Sequence, residues 1–121
     1  MSSMTAITRI NPSPRMSQGV VHAGILYTAG QVDAEAPDVA GQTRNVLTKI
    51  ETLLAQAGTT KSHVLSASVW LSDIATFEAM NAVWEAWIDP ENPPARATVQ
   101  AALAAPRYQV EIAVVAVVER F

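Results

Sequence analysis

The final stretch of the chain, residues 109–119, is apolar on both of its faces. Val110, Ile112, Val114, Ala116 and Val118 alternate there with Ala113, Val115 and Val117. Successive side chains of a strand point to opposite sides, so a strand of this composition has to be central and covered twice. One polar residue interrupts it. Glu111 projects from the face that continues as Ala113, Val115 and Val117, where a carboxylate is costly unless something uses it.

The rest of the chain has to supply the cover. From Thr43 onward Val46, Leu47, Ile50, Leu53, Leu54 and Ala57 recur at three and four residues, which predicts an amphipathic helix stopped by Gly58. Phe77, Met80, Val83, Trp84 and Trp87 predict a second helix, with Asp73 and Thr76 as candidate caps and an end before Pro90. Residues 64–71 read as a strand with Leu65, Ala67, Val69 and Leu71 on one face and Ser66, Ser68 and Trp70 on the other. Further strands are predicted over residues 5–10, 20–22, 25–32 and 95–103. Pro12, Ser13 and Pro14 mark a loop, and Ala23-Gly24 a tight hairpin turn, although alanine is not a favoured turn residue. Two helices can cover only one face of so small a sheet. The expectation is one α+β domain over residues 1–121, with both helices on one side of a mixed sheet and another copy of the chain on the other.

Composition points the same way. Half of the 121 residues are hydrophobic and 16% are charged, against about 25% charged in an average soluble domain, and a subunit contact would absorb the surplus. By itself this favours a dimer, since two-fold homo-oligomers are the commonest. The net charge of −3 and the scattered Lys and Arg leave no footprint for nucleic acid. No apolar run approaches the length of a membrane span, and the first ten residues lack the pattern of a leader, so a cytoplasmic protein is expected. The lack of cysteine excludes disulfides, thiolate nucleophiles and Cys-ligated zinc. His22 and His63 have no metal-ligand spacing. Residues 58–62, GTTKS, imitate the tail of a phosphate-binding loop but follow a helix instead of opening one, and read as a helix-end turn.

Chemistry is left to a few polar residues on apolar strands. Arg96, Thr98 and Gln100 share one side of the strand over 95–103, and Arg96 is expected on the face away from the helices. If this strand pairs antiparallel with the last one, Arg96 and Glu111 straddle the loop at Pro106 and enclose one small cleft. The alternative is an Arg and Glu that merely satisfy each other or a partner chain.

These residues carry a resemblance that covers nearly the whole chain. Tyr27-Thr28-Ala29-Gly30-Gln31, Asp38 with Gln42, Val69 to Asp73, Phe77, Met80, Asn81, Pro94 to Val99, Pro106 and Val110-Glu111-Ile112 match, in order and spacing, the RidA (YjgF-like) family of small imine and enamine deaminases. The resemblance implies a chorismate-mutase-like homotrimer with ligand clefts between subunits. It also implies a ligand-binding arginine at Arg96, a catalytic glutamate at Glu111, cleft-lining backbone at Gly30, and Asn81 beside the cleft. The chain departs from the best-known members at Ala29, Met16 and Thr98, where they carry Ser, Tyr and Cys. Its segment Pro14-Arg15-Met16-Ser17-Gln18 looks like a subgroup that brings its own Arg and Ser.

The implied reaction is hydrolysis of reactive 2-imino or enamine acids to 2-keto acids and ammonia. Arg96 would clamp the carboxylate, Glu111 would handle the water, and Thr98 would add a hydroxyl. No metal or cofactor is called for. The expected partners are a small imino or keto acid and two further copies of the chain, without nucleic acid or membrane. Two other classes stay open: a non-catalytic or chaperone-like trimer that binds small acids, favoured by the altered cleft, and an endoribonuclease, disfavoured by the acidic charge.

Overall fold

The computed structural model describes residues 6–118. Six strands form one sheet: β1 (Ile7–Ile10), β2 (Gly19–His22), β3 (Ile25–Thr28), β4 (Val64–Leu71), β5 (Ala95–Gln100) and β6 (Val110–Val117). Their spatial order is β1-β2-β3-β6-β4-β5. Helices α1 (Val39–Ala57) and α2 (Phe77–Trp87) lie together over one face of it. This is the expected α+β layering, and β6 is the central strand that its double apolarity demands. Thr5 and Glu119, at the ends of two predicted strands, lie outside the described residues.

The core sits between α1 and the sheet. Val46, Leu47, Ile50, Leu53 and Leu54 of α1 meet Val110, Ile112, Val114 and Ala116 of β6, all buried. Each large side chain removed from water there stabilises the fold by roughly 1.5–3 kcal/mol. The helix starts four residues before Thr43, because the Asp38 carboxylate caps it by accepting from Gly41 N at 2.8 Å. Gly58 ends it at φ 83°, in the left-handed region that glycine enters without penalty. Asp73 does not cap α2. It caps a short 3-10 turn, Ile74–Thr76, that runs into the helix.

Three strand expectations need correction. First, β5 does not pair with β6. It runs parallel to β4 at the edge of the sheet, with Ala67 opposite Arg96 and Val69 opposite Thr98, and it stops at Gln100. A chain that leaves β4 through α2 returns in the same direction, which fixes the parallel pairing. Second, a bulge between Val64 and Ser66 shifts the register of β4. Val64 takes the buried position, and Leu65 is left 48% exposed on the other side. Third, β3 ends at Thr28. Beyond it four steps of chain, Tyr27 to Gln31, span three of β6, Val115 to Ile112. Within that bulge the Thr28 hydroxyl accepts the hydrogen bond of Val114 N at 2.9 Å, in place of a backbone carbonyl. The β2–β3 turn is the predicted two-residue hairpin, with both Ala23 (φ 53°) and Gly24 (φ 79°) left-handed.

Candidate functional site

The bulge after β3 builds half of the site. Residues 29–31 leave the regular ladder and return to it at Gln31, whose N–H and C=O bond Ile112 at 2.8 and 3.2 Å. Gly30, one residue earlier, faces the opposite side of the sheet, where Glu111 projects. A β-carbon at position 30 would overlap Glu111 Oε2 and stand 2.7 Å from its Cδ. The carboxylate therefore rests against bare backbone, a close approach that only glycine permits. Glu111 makes no side-chain hydrogen bond to another described residue, and Trp70 of β4 is its strand neighbour.

The segment is tied down from behind. Ala29 N donates to Gln18 O at 2.9 Å. The buried Gln31 donates from Nε2 to Gln18 Oε1 at 2.9 Å and to Ala29 O at 3.1 Å. The loop carrying Arg15 and Met16 is thereby sutured to residues 29–31. Ser13 Oγ folds that loop, accepting from Arg15 N and Met16 N at 3.2 Å. Arg15 and Met16 are both exposed.

Arg96 belongs to a second half. Its expected place was the open face, yet the guanidinium carbon lies 5.6 Å from the Phe77 ring centre and 5.1 Å from that of Trp84, both on α2. Its Nη1 donates to Asn81 Oδ1 at 2.8 Å. Arg96 is thus on the helix side of the sheet, and Ala97 and Val99 are the outward residues of β5. Alternation alone would turn the polar Arg96, Thr98 and Gln100 outward, and it is the aromatic and amide groups of α2 that make the helix side the place for the guanidinium. Phe77, Asn81 and Trp84, spaced four and three apart on α2, form one platform that holds the guanidinium in place. Phe77 and Trp84 read as core in the sequence, and their role toward Arg96 is legible only once the sheet order is known.

Arg96 and Glu111 accordingly do not share a cleft within one chain, and they cannot neutralise each other there. Thr98 stands on the Arg96 side of β5. Its Oγ1 is enclosed and finds no hydrogen-bond partner, so this chain alone does not open the hydroxyl to a ligand.

Behind the site lies a buried acid. Asp33 is 2% exposed and accepts from Ala36 N at 2.9 Å and Asn45 Nδ2 at 3.0 Å. Burial alone would raise its pKa. The hydrogen bonds from Ala36, Asn45 and Glu35, with the Lys49 charge, outweigh that and hold it below the ordinary carboxylate value. Gln42, also buried, bonds Ala36 O, Arg107 O and Gln109 N, so it fastens the loop before Glu111 to α1.

Residues 6–118 match the family model described as Endoribonuclease L-PSP. The chain is similar to a RutC family protein of Haemophilus ducreyi, 42% identical over 113 residues that cover 93% of this chain and 97% of the relative. It is also similar to the crystal structure of a YjgF family protein of Neisseria meningitidis. Identity there is 37% and the TM-score 0.96, over 98% of this chain and 100% of that one. A Rid family protein of Yersinia pestis, described as of unknown function, matches at 31% identity and TM-score 0.80, covering 97% and 96%. No helix among the described residues is long and apolar enough to cross a membrane. The family model over residues 6–118 and these relatives agree: the chain belongs to the RidA family, also called the YjgF or RutC family.

Proposed function

We propose that the protein is a cytoplasmic hydrolytic deaminase of small 2-imino acids, working as a homotrimer whose clefts lie between subunits. The observation that carries this reading is the separation of two prepared half-sites. One is the Glu111 carboxylate seated on Gly30. The other is the Arg96 fork braced by Asn81, Phe77 and Trp84. Because β5 is an edge strand, Arg96 stands at the rim of the sheet, where a second copy can present its own Gly30 and Glu111. The open face carries Tyr27, Leu65 and Val99, each about half exposed (49%, 48% and 50%). Large apolar residues grouped on one face favour burial by further copies over exposure to water.

In such a cleft the planar Arg96 guanidinium pairs with both carboxylate oxygens of the imino acid. Glu111 accepts a proton from a water molecule as the water oxygen bonds to the carbon of the protonated imine, which gives a carbinolamine. Glu111 passes that proton to the amine nitrogen and then takes the hydroxyl proton as the C–N bond breaks, so the hydroxyl oxygen becomes the keto oxygen, ammonia leaves, and Glu111 returns its proton to solvent. The uncatalysed reaction is easy, so positioning and one proton relay suffice.

The test measures removal of freshly generated 2-imino acid by trapping it with a carbonyl reagent, beside light scattering at micromolar concentration. Glu111→Gln should lower kcat strongly and leave the affinity for a stable 2-keto acid near that of the wild type. A stable monomer, or equal turnover by wild type and variant, overturns the reading. Binding of 2-keto acid without turnover by either protein supports a binding trimer instead, a reading favoured by the enclosed Thr98 hydroxyl.

A further inference from the structure

We propose that the groove between the start of β2 and the flank of α1 is a seat for a small zwitterion, a free α-amino acid. It is separate from the Gly30–Glu111 site and lies on the helix side of the same segment. The groove holds about 400 Å³, within the roughly 300–1,000 Å³ of small-molecule sites.

Its lining is one ammonium, four carboxamides and the Thr52 hydroxyl, which donates to Thr48 O, with Leu53 as the apolar wall. The amides are only partly committed to each other. Asn11 and Gln56 exchange two hydrogen bonds, at 3.2 and 3.1 Å. Gln31 spends its Nε2 on Gln18 and Ala29. Gln31 Oε1 and Gln18 Nε2 then have no bond to a described residue, and Lys49 Nζ gives one of its three protons to Val32 O. The seat thus offers a cation and an amide donor on one hand and carbonyl oxygens on the other. Among the described residues no carboxylate lines it, and Asp33, the acid that feels the Lys49 charge, is engaged by Ala36 and Asn45. A carboxylate answers Lys49 and Gln18, and an ammonium answers Gln31 Oε1, the one amide oxygen of the seat without a bond to a described residue. Only a molecule that carries both groups satisfies the whole set, and Leu53 leaves room for a short side chain beside them.

The experiment is calorimetric titration of the full chain with L-alanine, propionate and ethylamine, which share a size and differ in the groups they present. L-Alanine should bind, with propionate and ethylamine weaker by about tenfold, the worth of one charged hydrogen bond. Lys49→Met should weaken L-alanine by a similar factor, and Gln18→Leu serves if that variant does not fold. Arg96→Ala should leave L-alanine binding unchanged, which separates this seat from the proposed catalytic cleft. The proposal is overturned if L-alanine does not bind at tens of millimolar, or if propionate binds equally well to the Arg96→Ala protein, in which the proposed cleft has lost its carboxylate clamp. It is equally overturned if neither lining variant weakens binding, or if Arg96→Ala abolishes it.

Discussion

Arg96 and Glu111 stand on opposite faces of one sheet with β4 between them, Arg96 facing α2 and Glu111 facing Gly30. A mutation at either residue therefore perturbs a different half of the site, and the two should be separable by measurement.

Gly30→Ala tests the Glu111 half. The new methyl group overlaps the carboxylate, so Glu111 has to swing away while β3 and β6 keep their pairing. Turnover of 2-imino acid should fall by about 10²-fold, the order of loss for a displaced reacting group, with the circular dichroism spectrum unchanged. Wild-type turnover in Gly30→Ala would show that the position of the carboxylate is irrelevant.

Arg96→Lys tests the other half. Lysine keeps the charge but lacks the planar fork and stacks poorly on Phe77 and Trp84. Affinity for a 2-keto acid should drop by about 1–3 kcal/mol. Urea unfolding should register a loss of about 1 kcal/mol from the stacking and the Asn81 bond. A variant that binds 2-keto acid as tightly as wild type would remove Arg96 from the site.

Thr98→Val replaces an enclosed, unpaired hydroxyl with a methyl group of the same shape. Denaturant unfolding should show a gain of up to about 1 kcal/mol, because the polar group is desolvated without a partner. If assembly gives that hydroxyl a ligand or a partner, the variant loses stability or affinity instead.

Asp33→Asn tests the buried acid. The native carboxyl titrates below its unfolded value. The stability it contributes is therefore fully present above the ordinary carboxylate pKa and is lost as pH falls through the lower native value. The variant should be less stable by about 1–3 kcal/mol at neutral pH, and the gap should close on acidification. A gap independent of pH down to acid unfolding would assign the effect to packing.

How much of this was legible beforehand follows from what each signal measures. The stripe from Val46 to Leu54 and the doubly apolar β6 place the core without ambiguity, because apolar periodicity reports burial directly. Asp38, Gln42 and Thr43 begin α1 through capping and buried hydrogen bonds, which an apolar count does not register. The pairing of Arg96 with Glu111 looked natural because their strands are consecutive. Consecutive order is a weak guide where a helix carries the chain back in parallel, and the bulges at Leu65 and Ala29-Gly30 leave no mark in the alternation. The family pattern singles out Gly30, Arg96 and Glu111 as candidates, and their arrangement in the sheet leaves no mark in it.

The position of β6 has a further consequence for how the molecule comes into being. Among the described strands it is the last in chain order, yet it is hydrogen-bonded to β3 on one side and β4 on the other. Until it arrives, the β1-β2-β3 meander and the β4-α2-β5 unit have no shared ladder, and the apolar stripe of α1 lacks Val110, Ile112, Val114 and Ala116 to close upon. The nascent chain therefore cannot acquire its tertiary structure piecemeal during synthesis. It has to wait for residues 110–117, and a chain cut before residue 110 has an open core.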